Sequence, residues 1–237
     1  MRQTYRKRFL PAGLAIGLVL LPTSGAQAIS MSFTASGVGG DGPESASATV
    51  TTGAGTVTVV LSSLITNPTA AGQLVSDIEI NLGGGVPASA SLTSASGTTI
   101  NIAPGGTVTP GGAITHWGAT VSGGTIFLAT AGTGAPGGSP INLIIGTAAS
   151  YPAANPSITG RNPSIQGTGT FVLTTAGVTA TTPITGVVFS FGTGPDSTLP
   201  GVPVPEPTSL LLAGTALAGL GGVWRRMRSQ KRALAAV

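Results

Sequence analysis

The chain has 237 residues, of which 7% are charged and 4% are aromatic, and it contains no cysteine. The absence of cysteine excludes disulfides, thiolate metal sites and a cysteine nucleophile. The formal net charge of +4 arises at the two ends, because residues 29–199 hold a single cation, Arg161, and are mildly acidic. This middle segment therefore lacks the clustered lysine and arginine that nucleic-acid binding requires, and we predict no nucleic-acid partner.

The first part of the chain predicts a secretory signal peptide over residues 1–28. Four cations among the first eight residues precede an apolar run from 9 to 21, and Ala26-Gln27-Ala28 places small residues at the A-x-A spacing. Signal peptidase accepts small side chains at such a site, so we expect cleavage after Ala28. The alternative is an uncleaved membrane anchor, which the apolar run disfavours because a spanning helix needs about 20 residues.

Residues 29–199 alternate with the two-residue period of β-strands, between breaks of glycine and proline. The clearest case is Ser76–Leu82, which puts Ile78, Ile80 and Leu82 on one face and polar side chains on the other. The other candidate strands are Ser32–Ser36, Ala46–Thr51, Thr56–Leu61, Ala88–Thr93, Thr98–Ile102, Thr125–Ala129, Ile141–Ile145, Thr168–Thr174 and Gly186–Phe191. Many short strands joined by such turns predict one all-β domain, an antiparallel β-sandwich.

No catalytic or cofactor-binding motif stands out in this domain. His116 is the only histidine, and no G-x-S-x-G elbow accompanies it, so we predict no Ser-His-Asp triad. Asp41 and Glu44 could offer two carboxylates to Ca²⁺, which takes about six to eight oxygens, and we predict a solvated turn instead. Asp77 and Glu79 share one strand face and do not oppose each other across a cleft, which ranks a hydrolase low. We therefore predict no catalytic residue, no metal, no cofactor and no enzymatic activity.

Two aromatic residues, Trp117 and Tyr151, are the candidates for sugar contact in residues 29–199. An exposed ring on a β-sandwich can stack on the apolar C–H surface of a sugar, as in carbohydrate-binding modules. Packing in the core is the commoner use of such rings. Exposure of Trp117 would favour a carbohydrate-binding module, whereas burial would remove the main aromatic of that alternative.

Thr-x-Thr pairs suggest an ice-binding array, because threonines at this spacing lie about 6.8 Å apart on one side of a strand. Ice binding requires such arrays in register across strands. The pairs recur at irregular intervals along the chain, so solvent-facing strands explain them more simply. They are Thr49/Thr51, Thr56/Thr58, Thr107/Thr109, Thr168/Thr170 and Thr179/Thr181.

An uncharged segment near the other end of the chain predicts one transmembrane helix over residues 209–224. Its 16 residues would span about 24 Å as a helix, slightly less than a hydrocarbon core of about 30 Å. The basic residues 225–237 should stay in the cytoplasm by the positive-inside rule. A Pro-rich linker, residues 200–208, precedes the helix, and its prolines hold the backbone extended.

The order of these parts resembles the PEP-CTERM sorting signal. The resemblance rests on the short apolar span and on seven residues around it: Val204, Pro205, Glu206, Pro207, Arg225, Arg226 and Arg228. It covers about 30 residues and implies recognition of the tail by an exosortase, a membrane protease-like enzyme, in a Gram-negative-type bacterium. The same kind of tail is also catalogued as an ice-binding protein C-terminal region, a label that says little about function.

Together these features predict an exported protein whose precursor sits in the inner membrane and whose final place is the cell surface or the extracellular space. Signal peptidase and exosortase are its expected partners during export. The resemblance further implies association with exopolysaccharide, and we expect a structural or adhesive role in the envelope or matrix. A carbohydrate-binding module is the alternative function.

Overall fold

The structure is a computed structural model that describes residues 27–84, 87–194 and 197–205. The predicted signal segment up to residue 26, the transmembrane helix over 209–224 and the basic tail 225–237 lie outside these residues. Among the residues described, no helix is long and apolar enough to cross a bilayer.

The regular secondary structure of the described chain is almost entirely β-strand, with one 3-10 turn, Ala71–Gln73, and one four-residue helix, α1, Pro156–Thr159. Asn155 caps α1, because its Oδ1 accepts a hydrogen bond from the Ser157 N–H at 2.9 Å. Numbered along the described residues, the strands are β1 Ser30–Gly39, β2 Gly42–Gly53, β3 Thr56–Ser63, β4 Val75–Leu82, β5 Ser89–Ile102, β6 Val108–Pro110, β7 Gly118–Ser122, β8 Thr125–Ala129, β9 Ile144–Ile145, β10 Ser164–Ala176, β11 Ile184–Phe191, β12 Ser197–Pro200 and β13 Val202–Val204.

These strands form one mixed sheet in the order β12-β11-β4-β9-β10-β3-β2-β1-β13. β5 and β6 extend the sheet from β10, and β8 and β7 extend it from β4. All the pairs are antiparallel except β9 with β10, which is parallel. The short strand β9 therefore links a group around β4 to a group around β10.

The main core collects inward side chains from both groups of strands, as the period of two requires. Val59 of β3, Ile80 of β4, Phe171 of β10 and Phe189 of β11 are each fully buried in it. Burial of a side chain of this size contributes about 1.5–3 kcal/mol, so the inward residues of the alternating strands stabilise the fold. A smaller cluster gathers around Tyr151.

The outward side chains of β1, β2, β3 and β10 form a surface that we call the hydroxyl face. It comprises alternate residues within 30–36, 45–51, 56–62 and 168–174, and all of them are Ser or Thr except Val60 and Val172. Most of these side chains are half-buried against one another and the rest are exposed. The same strands turn Ala, Val, Leu and Phe inward, so the face follows from strict alternation.

The prediction of an all-β domain is confirmed, but two features of the architecture differ from expectation. The parallel pairing of β9 with β10 makes the sheet mixed, because the long connection between the two strands, residues 146–163, lets β10 run in the same direction as β9. The two candidates Ala88–Thr93 and Thr98–Ile102 belong to one long strand, β5, since Gly97 continues the pairing with β10 through a bulge near Gly169.

The strands also continue beyond residue 199, into the segment expected to be a linker. β12 ends at Pro200 and β13 covers Val202–Val204. The pairing partners, β11 and β1, hold this Pro-containing segment in the sheet. The local sequence does not reveal this pairing, because both partner strands lie elsewhere in the chain.

Candidate functional site

The last described segment of the chain leads from the folded domain into the residues that resemble a sorting signal. Its first half, β12, pairs with β11 from Phe191↔Ser197 to Val188↔Pro200. Its second half, β13, pairs with the other outer strand, β1, from Thr34↔Val202 to Ser32↔Val204. Residues 197–204 therefore bridge both ends of the sheet.

Gly201 sits where this segment changes partner. Its N–H donates to the Val187 carbonyl oxygen at 2.9 Å. A Cβ added there would lie 2.5 Å from Val187 Cγ2, 3.1 Å from Phe189 Cε2 and 3.2 Å from Phe33 Cβ. Only glycine allows the backbone to pass this close to the core, so the position of β13 depends on this residue.

β13 is a short and exposed edge strand. Val202 is 65% exposed and Val204 is 44% exposed, and Pro203 and Pro205 are exposed too. Since Pro203 has no N–H, it cannot donate to a ladder, which is how edge strands avoid pairing with further chains. The sorting residues Val204 and Pro205 thus lie at the surface, where a processing enzyme can reach them.

A groove of about 520 Å³ runs beside β13, between β1 and β12. It is lined by Thr34, Ala35, Ser36, Leu199, Pro200 and Val202. None of these described lining residues is charged, so they offer hydroxyl and apolar contacts.

A smaller cavity, of about 270 Å³, lies next to the start of β12 and brings the candidate calcium carboxylates together. Ser197 Oγ donates to Glu44 Oε2 at 2.6 Å, and the Gly72 N–H donates to Asp41 Oδ2 at 3.2 Å. Protein donors thus occupy both carboxylates. Within residues 27–84, 87–194 and 197–205, no three His, Asp or Glu side chains are grouped so that they could hold a metal ion.

The two rings proposed for sugar contact are buried, so neither face is open for stacking. Trp117 is 4% exposed and packs on Phe171 with ring centroids 4.5 Å apart. Tyr151 is 0% exposed, and its hydroxyl donates to the Gly146 carbonyl oxygen at 2.6 Å. Burial raises the pKa of Tyr151, against the opposing effect of its hydrogen bond from Gln166. Both rings are buried because residues distant in the chain pack against them, and the sequence around each ring does not reveal these contacts.

Asn142 holds the segment around His116 and Trp117 in place. It is fully buried and has a positive φ of 60°, which asparagine tolerates better than most residues. Its Oδ1 accepts hydrogen bonds from the Thr115 and His116 N–H groups, and its carbonyl oxygen accepts one from Trp117 Nε1 at 2.8 Å. His116 is half-buried, and its Nε2 is buried without a hydrogen-bond partner.

Asp77 is the most perturbed acid in the described chain. Its side chain is 3% exposed, and burial, followed by repulsion from Glu79, raises its pKa to about 8. Asp77 Oδ1 is buried without a hydrogen-bond partner, and so is the Oγ of Ser190, which lies opposite it on β11. The side chains of Asp77 and Glu79 lie two residues apart on the same face of β4, as predicted.

At the other end of the domain, the predicted signal cleavage site lies directly before Ile29, whose backbone is hydrogen-bonded to the fold. Ala28 is exposed, whereas the Ile29 N–H donates to the Ala180 carbonyl oxygen at 3.0 Å. Cleavage after Ala28 would therefore leave the fold intact, although the cut itself stays a prediction. Ala26 and the motif residues Glu206, Pro207, Arg225, Arg226 and Arg228 lie outside the described residues.

Comparison with known proteins identifies the segment that follows β12. Residues 203–226 match the PEP-CTERM protein-sorting motif, and the match begins inside β13, at Pro203. No curated protein and no solved structure matches the chain. The motif indicates export to the cell surface or extracellular space, with processing by an exosortase. The chain therefore carries a PEP-CTERM protein-sorting motif, whose first residues lie in the last described strand, β13.

Proposed function

We propose that the chain is a non-enzymatic surface or matrix protein that reaches its place through an inner-membrane precursor. The observation that carries the proposal is the sorting motif over residues 203–226. A signal peptide over 1–28 would start export, and a helix over 209–224 would hold the precursor until the exosortase acts. The β-domain is the part of the chain that would reach the surface or matrix. Its two groups of strands pack around one core, which supports a sandwich architecture.

A structural or adhesive role in the envelope or exopolysaccharide suits the surface of this domain. Its outer strands present hydroxyl groups and few charges. The described acids do not face one another in the manner of a glycosidase: Asp77 and Glu79 share a strand face, and Asp41 and Glu44 bond to neighbouring donors. A carbohydrate-binding module built on Trp117 and Tyr151 is not part of the proposal, since both rings are buried.

The test is the intact mass and location of the protein in its native host. An epitope tag fits between Gly123 and Gly124, at the exposed turn between β7 and β8, because a Cβ added at either residue meets nothing within 4 Å. We expect a product that lacks residues 1–28 and everything beyond the 205–207 region, found at the surface or in the medium.

A matched pair of variants makes this test specific. Replacing Pro205, Glu206 and Pro207 by Ala should leave the tail attached and the protein in the membrane fraction. Pro200→Ala, an exposed proline just before the matched segment, should be processed like the unmodified protein. A mature product that still carries residues 209–237, or normal processing of the triple variant, would contradict the proposal.

A further inference from the structure

The hydroxyl face forms a two-dimensional array through strand register. Thr49 of β2 lies opposite Ser32 of β1 and Val60 of β3, and Thr170 of β10 lies opposite Val60 and Ser96 of β5. The neighbouring rows of residues cross the strands in the same order, from β1 through β2 and β3 to β10. Side chains are therefore about 4.8 Å apart across strands and about 6.8 Å apart along them. Antiparallel pairing brings together three of the five Thr-x-Thr pairs, which are irregularly spaced in the sequence: Thr49/Thr51, Thr56/Thr58 and Thr168/Thr170. The pairs Thr107/Thr109 and Thr179/Thr181 lie outside the face.

The array is free of charge. The described acidic side chains and the described arginine lie elsewhere: Asp41 in a turn, Glu44 buried, Asp77 and Glu79 on β4, and Arg161 in a loop. The ionisable His116 and Tyr151 also lie outside the face. A charged polymer gains binding energy from opposite charges on its partner, and this surface supplies none. Its only groups are hydroxyls and methyls, which complement a neutral partner that presents hydroxyls and apolar C–H groups.

Two kinds of hydroxyl are present on the face. Some bond to each other across strands, such as Ser32 with Thr49 at 2.9 Å and Ser62 with Thr168 at 2.7 Å, which fixes their orientation. Others, including Thr58 and Thr170, make no side-chain hydrogen bond within the described residues and keep their full capacity for a ligand. Small side chains already held in a sheet lose little conformational entropy on binding.

We infer that the hydroxyl face binds a neutral polysaccharide chain, which deepens the proposed matrix role and rests on it. The shape of a sheet favours this partner over ice. Adjacent strands are rotated by about 20–25°, so the four strands of the face turn through roughly 60–75° in all. A planar crystal lattice can match only part of such a surface, whereas a polymer chain can follow it.

The test uses the full-length protein, purified in a mild detergent, and measures its retention on amorphous cellulose and on a linear β-1,3-glucan. Thr58→Val/Thr170→Val removes two hydroxyls while keeping side-chain shape and every intramolecular side-chain hydrogen bond. Affinity for the neutral glucan that binds should fall about tenfold, which corresponds to about 1.4 kcal/mol for the two hydrogen bonds lost. Thr120→Val, on β7 outside the face, is the matched control and should bind like the unmodified protein.

Three outcomes would overturn the inference. They are no retention on either neutral glucan, equal retention of the double variant, and stronger retention on the anionic polymer alginate. Arrest of ice growth without glucan binding would assign the face to ice instead. The mass and location experiment is independent of these measurements: a processed, exported protein that ignores both glucans refutes the polysaccharide site alone, whereas an unexported protein refutes the proposed function.

Discussion

Replacement of Asp77 by Asn should make the protein more stable at neutral and alkaline pH. The carboxyl of Asp77 is buried, and its pKa is raised from 3.8 to about 8. The folded protein therefore keeps this group protonated over a range in which the unfolded chain ionises it. Asn has nearly the same shape as protonated Asp but cannot ionise, so Asp77→Asn removes the difference.

The size and direction of the effect follow from proton linkage. Below pH 3.8 both states bind the proton, so the stabilising effect of burying the neutral acid is fully present. Between pH 4 and 8 only the folded state binds it, and the free energy of unfolding falls by about 1.4 kcal/mol per pH unit. Over the whole range the loss from this one group amounts to roughly 6 kcal/mol. Above pH 8 both states are ionised and the loss is complete.

The assay is urea unfolding of the full-length protein in a mild detergent, followed by circular dichroism from pH 4.5 to 8.5. The difference between the unmodified protein and Asp77→Asn isolates this group from the other carboxylates. It should be small at pH 4.5 and several kcal/mol in favour of the variant at pH 8.5. Glu79→Gln removes only the weaker cause of the pKa shift, so it should reduce the pH dependence without abolishing it. Parallel pH profiles for the unmodified protein and Asp77→Asn would refute the reasoning.

Three further substitutions test the packing described above. Gly201→Ala places a Cβ 2.5 Å from Val187 Cγ2 and should lower the free energy of unfolding, measured by urea titration, by about 1–3 kcal/mol. Gly186→Ala is the control, because a Cβ there meets nothing within 4 Å, and it should change the free energy of unfolding little. Asn142→Gly keeps the positive φ but removes the side-chain acceptor of two N–H groups. The free energy of unfolding, measured by thermal unfolding, should therefore fall by about 2–4 kcal/mol. An unchanged melting temperature would contradict the role assigned to that amide. Tyr151→Phe removes a buried hydroxyl that donates to a carbonyl and accepts from Gln166, with an expected cost of about 1–3 kcal/mol in urea unfolding.

The strands with regular alternation could be predicted from sequence alone. Thr125–Ala129 was predicted with the same bounds as β8, and Ser76–Leu82 differs from β4 by one residue. Alternation succeeds there because each strand has one buried face, which leaves the period of two in the sequence.

The remaining elements depend on partners distant in the chain. β13 contains Pro203, which argues against a strand locally, and only its pairing with β1 places it in the sheet. Trp117 is buried because Phe171, more than fifty residues away, packs against it. Likewise, the register that aligns Thr49 with Val60 and Thr170 comes from the sheet order and not from any repeat.

The partner change at Gly201 also sets the order of events during synthesis. Both outer edges of the sheet, β11 and β1, wait for residues 197–204, which are made after every other described strand. An emerging domain therefore stays open at two edges until this segment is available to pair. The sorting motif begins within this same segment, at Pro203, so the strand that completes the sheet also carries the first residues of the motif. Under the proposed function, closure of the sheet and processing of the motif would therefore draw on the same residues.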